Sequence, residues 1–158
     1  MSCYRQVPPT SLVDDEVASV LRHDLVTPIN LIVGYCDLLI YEAVDLGDSS
    51  RLASLRSIRS LGYLLLKSID QSLLSNLPNR SVADIQALGQ SLNGPSMTLL
   101  QRCDALIVAS APLDASTNDF NDDLQKIRSA VAQMILMADS LVSGQFAGEN
   151  KATALRSD

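Results

Sequence analysis

The chain reads as all-α, an antiparallel up-down four-helix bundle built from two tandem helical hairpins. Three observations carry this expectation. Apolar residues recur at spacings of three and four almost throughout, and Leu, Ala, Ser and Ile dominate while β-branched and aromatic clusters are thin. Breaker clusters divide the chain into four long segments. The connections between those segments are short, which makes consecutive helices antiparallel neighbours. A length of 158 residues suits one domain with a sizeable core rather than two.

Taken in order, residues 1–10 form an N-terminal leader ending in Pro8-Pro9-Thr10. The first helix opens behind Ser11, with Asp14 three residues on in capping-box-like spacing, and runs to about Val44. Asp45-Leu46-Gly47-Asp48-Ser49 then turns the chain. The second helix covers roughly 50–75 and stops at Asn76-Leu77-Pro78-Asn79. The third begins at Ser81, again with an acid three residues on at Asp84, and ends before Pro112. The fourth starts near Thr117 or Asn118 and runs to about Ser143. Two hairpins result, over 11–76 and 77–143, followed by a polar tail over 144–158 that is expected to fray. Gly62 and Gly89 fall inside helices, where glycine costs stability, so each predicts a close approach.

The composition excludes several functional classes. At 47% hydrophobic residues the chain has the apolar content a disordered segment lacks. A net charge of −6 argues against binding nucleic acid, because neutralising phosphates needs clustered Lys and Arg. No apolar run approaches the ~20 residues of a bilayer span, and no signal-peptide core follows the N-terminus. Cys3, Cys36 and Cys103 are too scattered for a disulfide scaffold or a CxxC metal site, and a single histidine leaves no multi-His centre. No metal or cofactor is expected, and the location expected is cytoplasmic.

The two halves resemble one another. At an offset of 67, Leu21, Leu25, Pro28, Cys36, Asp37, Leu39 and Ile40 meet Leu88, Leu92, Pro95, Cys103, Asp104, Leu106 and Ile107. At an offset of 69, Leu55, Ile58, Arg59, Ser60 and Asp70 meet Leu124, Ile127, Arg128, Ser129 and Asp139. Leu-rich amphipathic helices always align somewhat, but a matched proline and a matched Cys-Asp pair point to duplication of a hairpin. Two copies would bury each other's apolar faces about a pseudo-two-fold axis, with Cys36 and Cys103 reduced and packed near it.

The stretch Leu21-Arg22-His23-Asp24-Leu25-Val26-Thr27-Pro28-Ile29-Asn30 carries the most chemistry. Imidazole is largely neutral, and so nucleophilic, near neutral pH. An adjacent carboxylate can fix its tautomer and take a proton. Thr27, four residues on, lies only about 40° around the helix from His23. Pro28 cannot donate to the Asp24 carbonyl and should bend the helix beside His23. A lone helical histidine is, on its own, as readily a surface or core residue as a functional one.

The pattern His-Asp-x-x-Thr-Pro, followed by Asn30, Gly34-Tyr35 and Leu38-Leu39, resembles the phosphoacceptor box of HisKA-type dimerisation and histidine-phosphotransfer domains of sensor histidine kinases. The likeness is close over about 17–44 and looser to about 75. It implies that His23 is the phosphorylated residue, that Asp24 is the acid/base assisting transfer, and that Thr27 supports dephosphorylation. Such hairpins normally pair between two chains. Two departures matter. Asp45-Leu46-Gly47 falls in a turn, and nothing else resembles the family's DxGxG nucleotide box, so no ATP binding is expected. In the second half Gln90, Ser91 and Gly94 stand where the first has His23, Asp24 and Thr27.

The resemblance also implies partners, a response-regulator receiver domain, a separate histidine kinase, or both, the receiver bringing its own divalent ion. Asn30, Leu31, Tyr35 and Leu38 lie below His23 with more apolar character than one core stripe requires, and suit a transient interface. Thickening of the core would explain them equally. Arg56, Arg59, Tyr63 and Lys67 form a stripe at helical spacing with no acid on their own helix until Asp70, fit to steer an acidic partner or simply to be solvated. The expected function is a histidine phosphotransfer module, monomeric with its own second hairpin as partner. The alternatives are a non-catalytic interaction or oligomerisation module, or the front end of a longer protein.

Overall fold

A computed structural model describes residues 8–74, 80–110 and 116–146. Four helices follow one another: α1 (Asp15–Leu46), α2 (Ser49–Leu73), α3 (Val82–Ala109) and α4 (Ser116–Ser143). α1 packs beside α2 and α4, and α3 beside the same two, giving a four-helix bundle. Side-chain pairs fix the directions. Arg22 and Asp37 of α1 reach Asp70 and Arg59 of α2, so the order reverses between the two helices. Gln86 and Asp104 of α3 likewise reach Val142 and Arg128 of α4.

Each helix buries the stripe its periodicity predicts. Leu25, Ile29, Ile32, Cys36 and Leu39 of α1 meet Leu55, Ile58, Leu65 and Ile69 of α2, Leu92, Leu99 and Cys103 of α3, and Leu124, Ile127, Val131 and Met134 of α4. Burial of apolar surface of this kind stabilises by about 25 cal/mol per Å². Cys36 and Cys103 are free and buried. Burial pushes the Cys36 thiol up to about 12, assisted by its neighbour Cys103, and pushes the Cys103 thiol up to about 11.

Positions matched at the two offsets make the same contact. Arg59 pairs with Asp37 at 2.9 Å, and Arg128 pairs with Asp104 at 2.5 Å. The two hairpins therefore share this cross-helix ion pair as well as their buried cysteines.

Helix ends follow local chemistry with one correction. Ser81 and Asp84 form the expected reciprocal capping box on α3. Gly47 closes α1 at φ 68, a left-handed turn that favours glycine. Ser11, however, does not cap α1. Asp14 does, accepting from the Glu16 amide. Ser11 belongs to an extended run that satisfies the start of α3 instead: its carbonyl accepts from Val82, the Pro9 carbonyl accepts from Ala83, and Leu12 bridges Ser81. The described end of the leader is thus docked, while residues 1–7 lie outside the described residues.

Two further features escaped the helical pattern. Arg80 is only 5% exposed. Its guanidinium donates to the carbonyls of Ser72 and Leu74 at the end of α2 and lies 3.6 Å from Asp15 in the first turn of α1. The carbonyls at a helix end lack intrahelical donors, so a cation there both hydrogen-bonds and complements the helix dipole. The chain after α4 also departs from the expected fraying at its start: Gly144 turns at φ 76 and Phe146 is buried. The rest of that tail, 147–158, lies outside the described residues.

The helical glycines differ in what a side chain would meet. A Cβ on Gly89 would stand 2.8 Å from both the Ala138 carbonyl oxygen and Leu141 Cβ, so α3 and α4 approach closely there. On Gly62 it would meet the Val33 Cγ2 methyl at 3.2 Å and the Ile32 Cγ2 methyl in ordinary contact at 3.8 Å. Gly89→Ala should therefore lower stability by about 1–3 kcal/mol despite the better helix propensity of alanine. Gly62→Ala should change it by less than about 1 kcal/mol, contact and propensity offsetting one another. Urea unfolding of both variants at unchanged m-value measures the difference. In a Cys3→Ser background, the two remaining thiols should resist a disulfide-exchange reagent at pH 8 and react at once after unfolding, because burial suppresses the thiolate.

Candidate functional site

The rotation of α1 determines what faces outward. At about 100° per residue the buried stripe of Leu25, Ile32 and Cys36 lies about half a turn from His23. His23 is therefore exposed on the outermost line of the helix, in company with Asn30, Gly34 and Tyr41, all exposed. Asp24 and Thr27 are exposed as well. Among the described residues no hydrogen bond or ion pair engages the His23 ring or the Asp24 carboxylate, so both are open to a partner.

Thr27 shares the His23 face as its spacing predicts, but its hydroxyl is engaged. It donates to the His23 carbonyl at 2.8 Å. A threonine that bonds back one turn competes with the helix ladder and tends to bend it. The next residue, Pro28, lies inside α1 and withholds a donor from the Asp24 carbonyl. α1 nevertheless continues as helix through this point to Leu46. Two backbone perturbations thus fall directly beside the imidazole.

The surface around His23 is partly as expected. Leu31 and Leu38 are 41% and 48% exposed, Tyr35 is half-buried, and Ile32, Cys36 and Leu39 face the core. Tyr35 lies under Lys126 of α4, whose ammonium stands 5.2 Å from the ring centroid. The tyrosine is the chief cause of a raised Lys126 pKa. On the other side Arg22 pairs with Asp70 at 2.8 Å.

The basic stripe on α2 needs correction. Arg59 is not a free cation, because Asp37 of α1 holds it and raises its pKa through their hydrogen bond. The acid that neutralises it comes from a different helix, which a reading of α2 by itself could not see. Arg56, Tyr63 and Lys67 remain exposed. The partly exposed Asp37–Arg59 pair is worth about 0–1 kcal/mol, so its main effect here is to remove charge and close a gap.

In the second hairpin Gln90, Ser91 and Gly94 are all exposed, as His23, Asp24 and Thr27 are in the first. The orientation is kept where the imidazole is not. Among the described residues no group of three His, Cys, Asp or Glu side chains could hold a metal ion, and no helix is long and apolar enough to cross a membrane. A cleft of about 520 Å³ opens at the opposite end of the bundle, where Asp48, Arg51 and Ser54 of the α2 start face Arg102 and Ser110 of the α3 end. It does not adjoin His23.

No protein-family model matches the chain, and no match was found among curated proteins or among solved structures.

Proposed function

We propose that the protein is a histidine phosphotransfer module of two-component signalling, acting in the cytoplasm. The observation that carries this reading is the placement of His23, exposed and unpaired with Asp24 and Thr27 exposed beside it, within the sequence His-Asp-x-x-Thr-Pro. His23 takes a phosphoryl group from a kinase or a phosphorylated receiver and passes it to a receiver aspartate. In the forward step a neutral ring nitrogen attacks phosphorus and the P–N bond forms. The receiver carboxylate leaves with the electron pair of its P–O bond. The second ring nitrogen then loses its proton, which the carboxylate of the adjacent residue, Asp24, accepts. Returning that proton makes the ring a better leaving group for the reverse transfer. The receiver supplies its own divalent ion.

The second hairpin serves as a built-in partner that completes the core. Its Gln90 carries an amide, which cannot take the place of the imidazole nucleophile. One phosphoacceptor per chain follows, and the bundle needs no second chain to bury its apolar faces. The exposed but chemically inert Gln90, Ser91 and Gly94 favour one other reading, a module that binds a receiver or a kinase without transfer.

Phosphoramidate, which donates phosphoryl to imidazole and releases ammonia, should label the protein with acid-labile, alkali-stable phosphate. His23→Gln should abolish the label, and Asp24→Asn should slow it by about a hundredfold. Absence of label on the wild type, with a receiver still bound equally by wild type and His23→Gln, would favour the non-catalytic reading. Light scattering should give one chain's mass, 17.0 kDa, across micromolar concentrations. A fixed mass of twice that value would show that hairpins pair between chains.

A further inference from the structure

The two flanks of α1 beside His23 are built differently. Toward α2, ion pairs close the seam at both ends of the stretch, Arg22 with Asp70 and Asp37 with Arg59. Toward α4, no ion pair crosses from α1 among the described residues. A groove of about 360 Å³ opens there instead, lined by Leu31 of α1 and by Gln125, Lys126, Ser129, Ala130 and Gln133 of α4. Apolar side chains extend this flank in both directions: Val20, Leu31 and Leu38 of α1 are 51%, 41% and 48% exposed, and Leu136 of α4 is 71% exposed.

The reactive residues lean the same way. Counting about 100° per residue from His23, Val20, Leu31 and Leu38 stand some 60–80° round toward α4, and Asp24 about 100°. Leu31 lies about 12 Å along the axis from His23. A domain that presents an aspartate to His23 must cover ground beside it. The flank that holds Asp24 and the open groove is the one continuous with the imidazole. Lys126, on the rim and with its side chain 56% exposed, makes a 3.5 Å contact with Asp123 of its own helix. A solvent-exposed pair of that kind is weak, so the ammonium can turn to the acidic surroundings of such an aspartate.

We propose that the receiver domain docks on the α1–α4 flank, so that the hairpin without a phosphoacceptor supplies half of the docking surface through Lys126, Gln133 and Leu136. This rests on the phosphotransfer reading above. The second hairpin is then a specificity element as well as a core partner, since α4 contributes side chains that α2 does not.

The test compares transfer from phosphorylated His23 to the purified receiver that accepts it fastest in a screen of receiver domains. Each variant is loaded to the same extent with phosphoramidate beforehand and checked for unchanged helical content by circular dichroism. Lys126→Glu and Leu136→Glu alter exposed side chains. Each should slow transfer about tenfold at subsaturating receiver through a raised KM, with the saturated rate kept within about twofold. Wild-type transfer in both, with the loss appearing instead in Tyr63→Glu or Lys67→Glu, places docking on the α2 flank and overturns the inference while leaving phosphotransfer intact. If His23 takes no label from phosphoramidate, or no receiver accepts the phosphoryl group, the phosphotransfer reading itself fails and the docking proposal with it.

Discussion

Burial of one stripe of α1 governs the rest of the molecule. Leu25, Ile29, Ile32, Cys36 and Leu39 are all fully buried, and a helix with that many anchors has only one rotation that satisfies them together. His23 is exposed because it lies opposite this stripe. The same rotation turns Arg22 and Asp37 toward α2, where acid and base meet them, and turns Leu31 and Tyr35 toward α4. Exposure of the imidazole and the inequality of its two flanks are thus consequences of core packing.

The two hairpins agree most closely in the interior and at the Asp-Arg seam. They diverge next to His23 and its matched position Gln90. Arg22 has Asp70 as its partner, whereas the matched position in the second hairpin is Gly89, and no ion pair ties the matched Asp139 among the described residues. Without a side chain at Gly89, α4 comes close enough for its backbone to touch α3. The first hairpin has a salt bridge at this position beside His23, and the second packs its helices closely at Gly89. The difference between His23 and Gln90 is thus accompanied by a difference between a polar seam and a close-packed one.

Much of the bundle was legible in the sequence because helices announce themselves locally. The three- and four-residue spacing, the Ser81–Asp84 cap and the Gly47 turn depend on residues a few positions apart. What was not legible depends on residues far apart in the chain. Nothing near Ser11 reveals that α3 would use its carbonyl, nor does anything near Arg80 reveal that α2 would end against its guanidinium. The stripe of Arg56, Arg59, Tyr63 and Lys67 looked uniformly basic until Asp37 was placed against Arg59. Around His23 the spacing foretold the shared face with Thr27. It could not foretell that the Thr27 hydroxyl turns back to the His23 carbonyl, since that choice is made by a rotamer.

Carrying both hairpins on one chain has a physical consequence that a symmetric pair of chains would lack. In a symmetric pair, any substitution on the helix flanking the reactive one also appears on the copy across the core. Core packing, seam charge and partner contact must then be satisfied by one sequence. Here α2 and α4 both border α1 but are separate segments, free to differ. α2 contributes Asp70 and Arg59 to close its seam, while α4 keeps Gln125, Gln133 and Leu136 beside an open groove. On the proposed phosphotransfer reading, a single phosphoacceptor per chain removes the need for two equivalent docking faces. The helix next to His23 can then be tuned to a partner without disturbing the interior that Cys36 and Cys103 share.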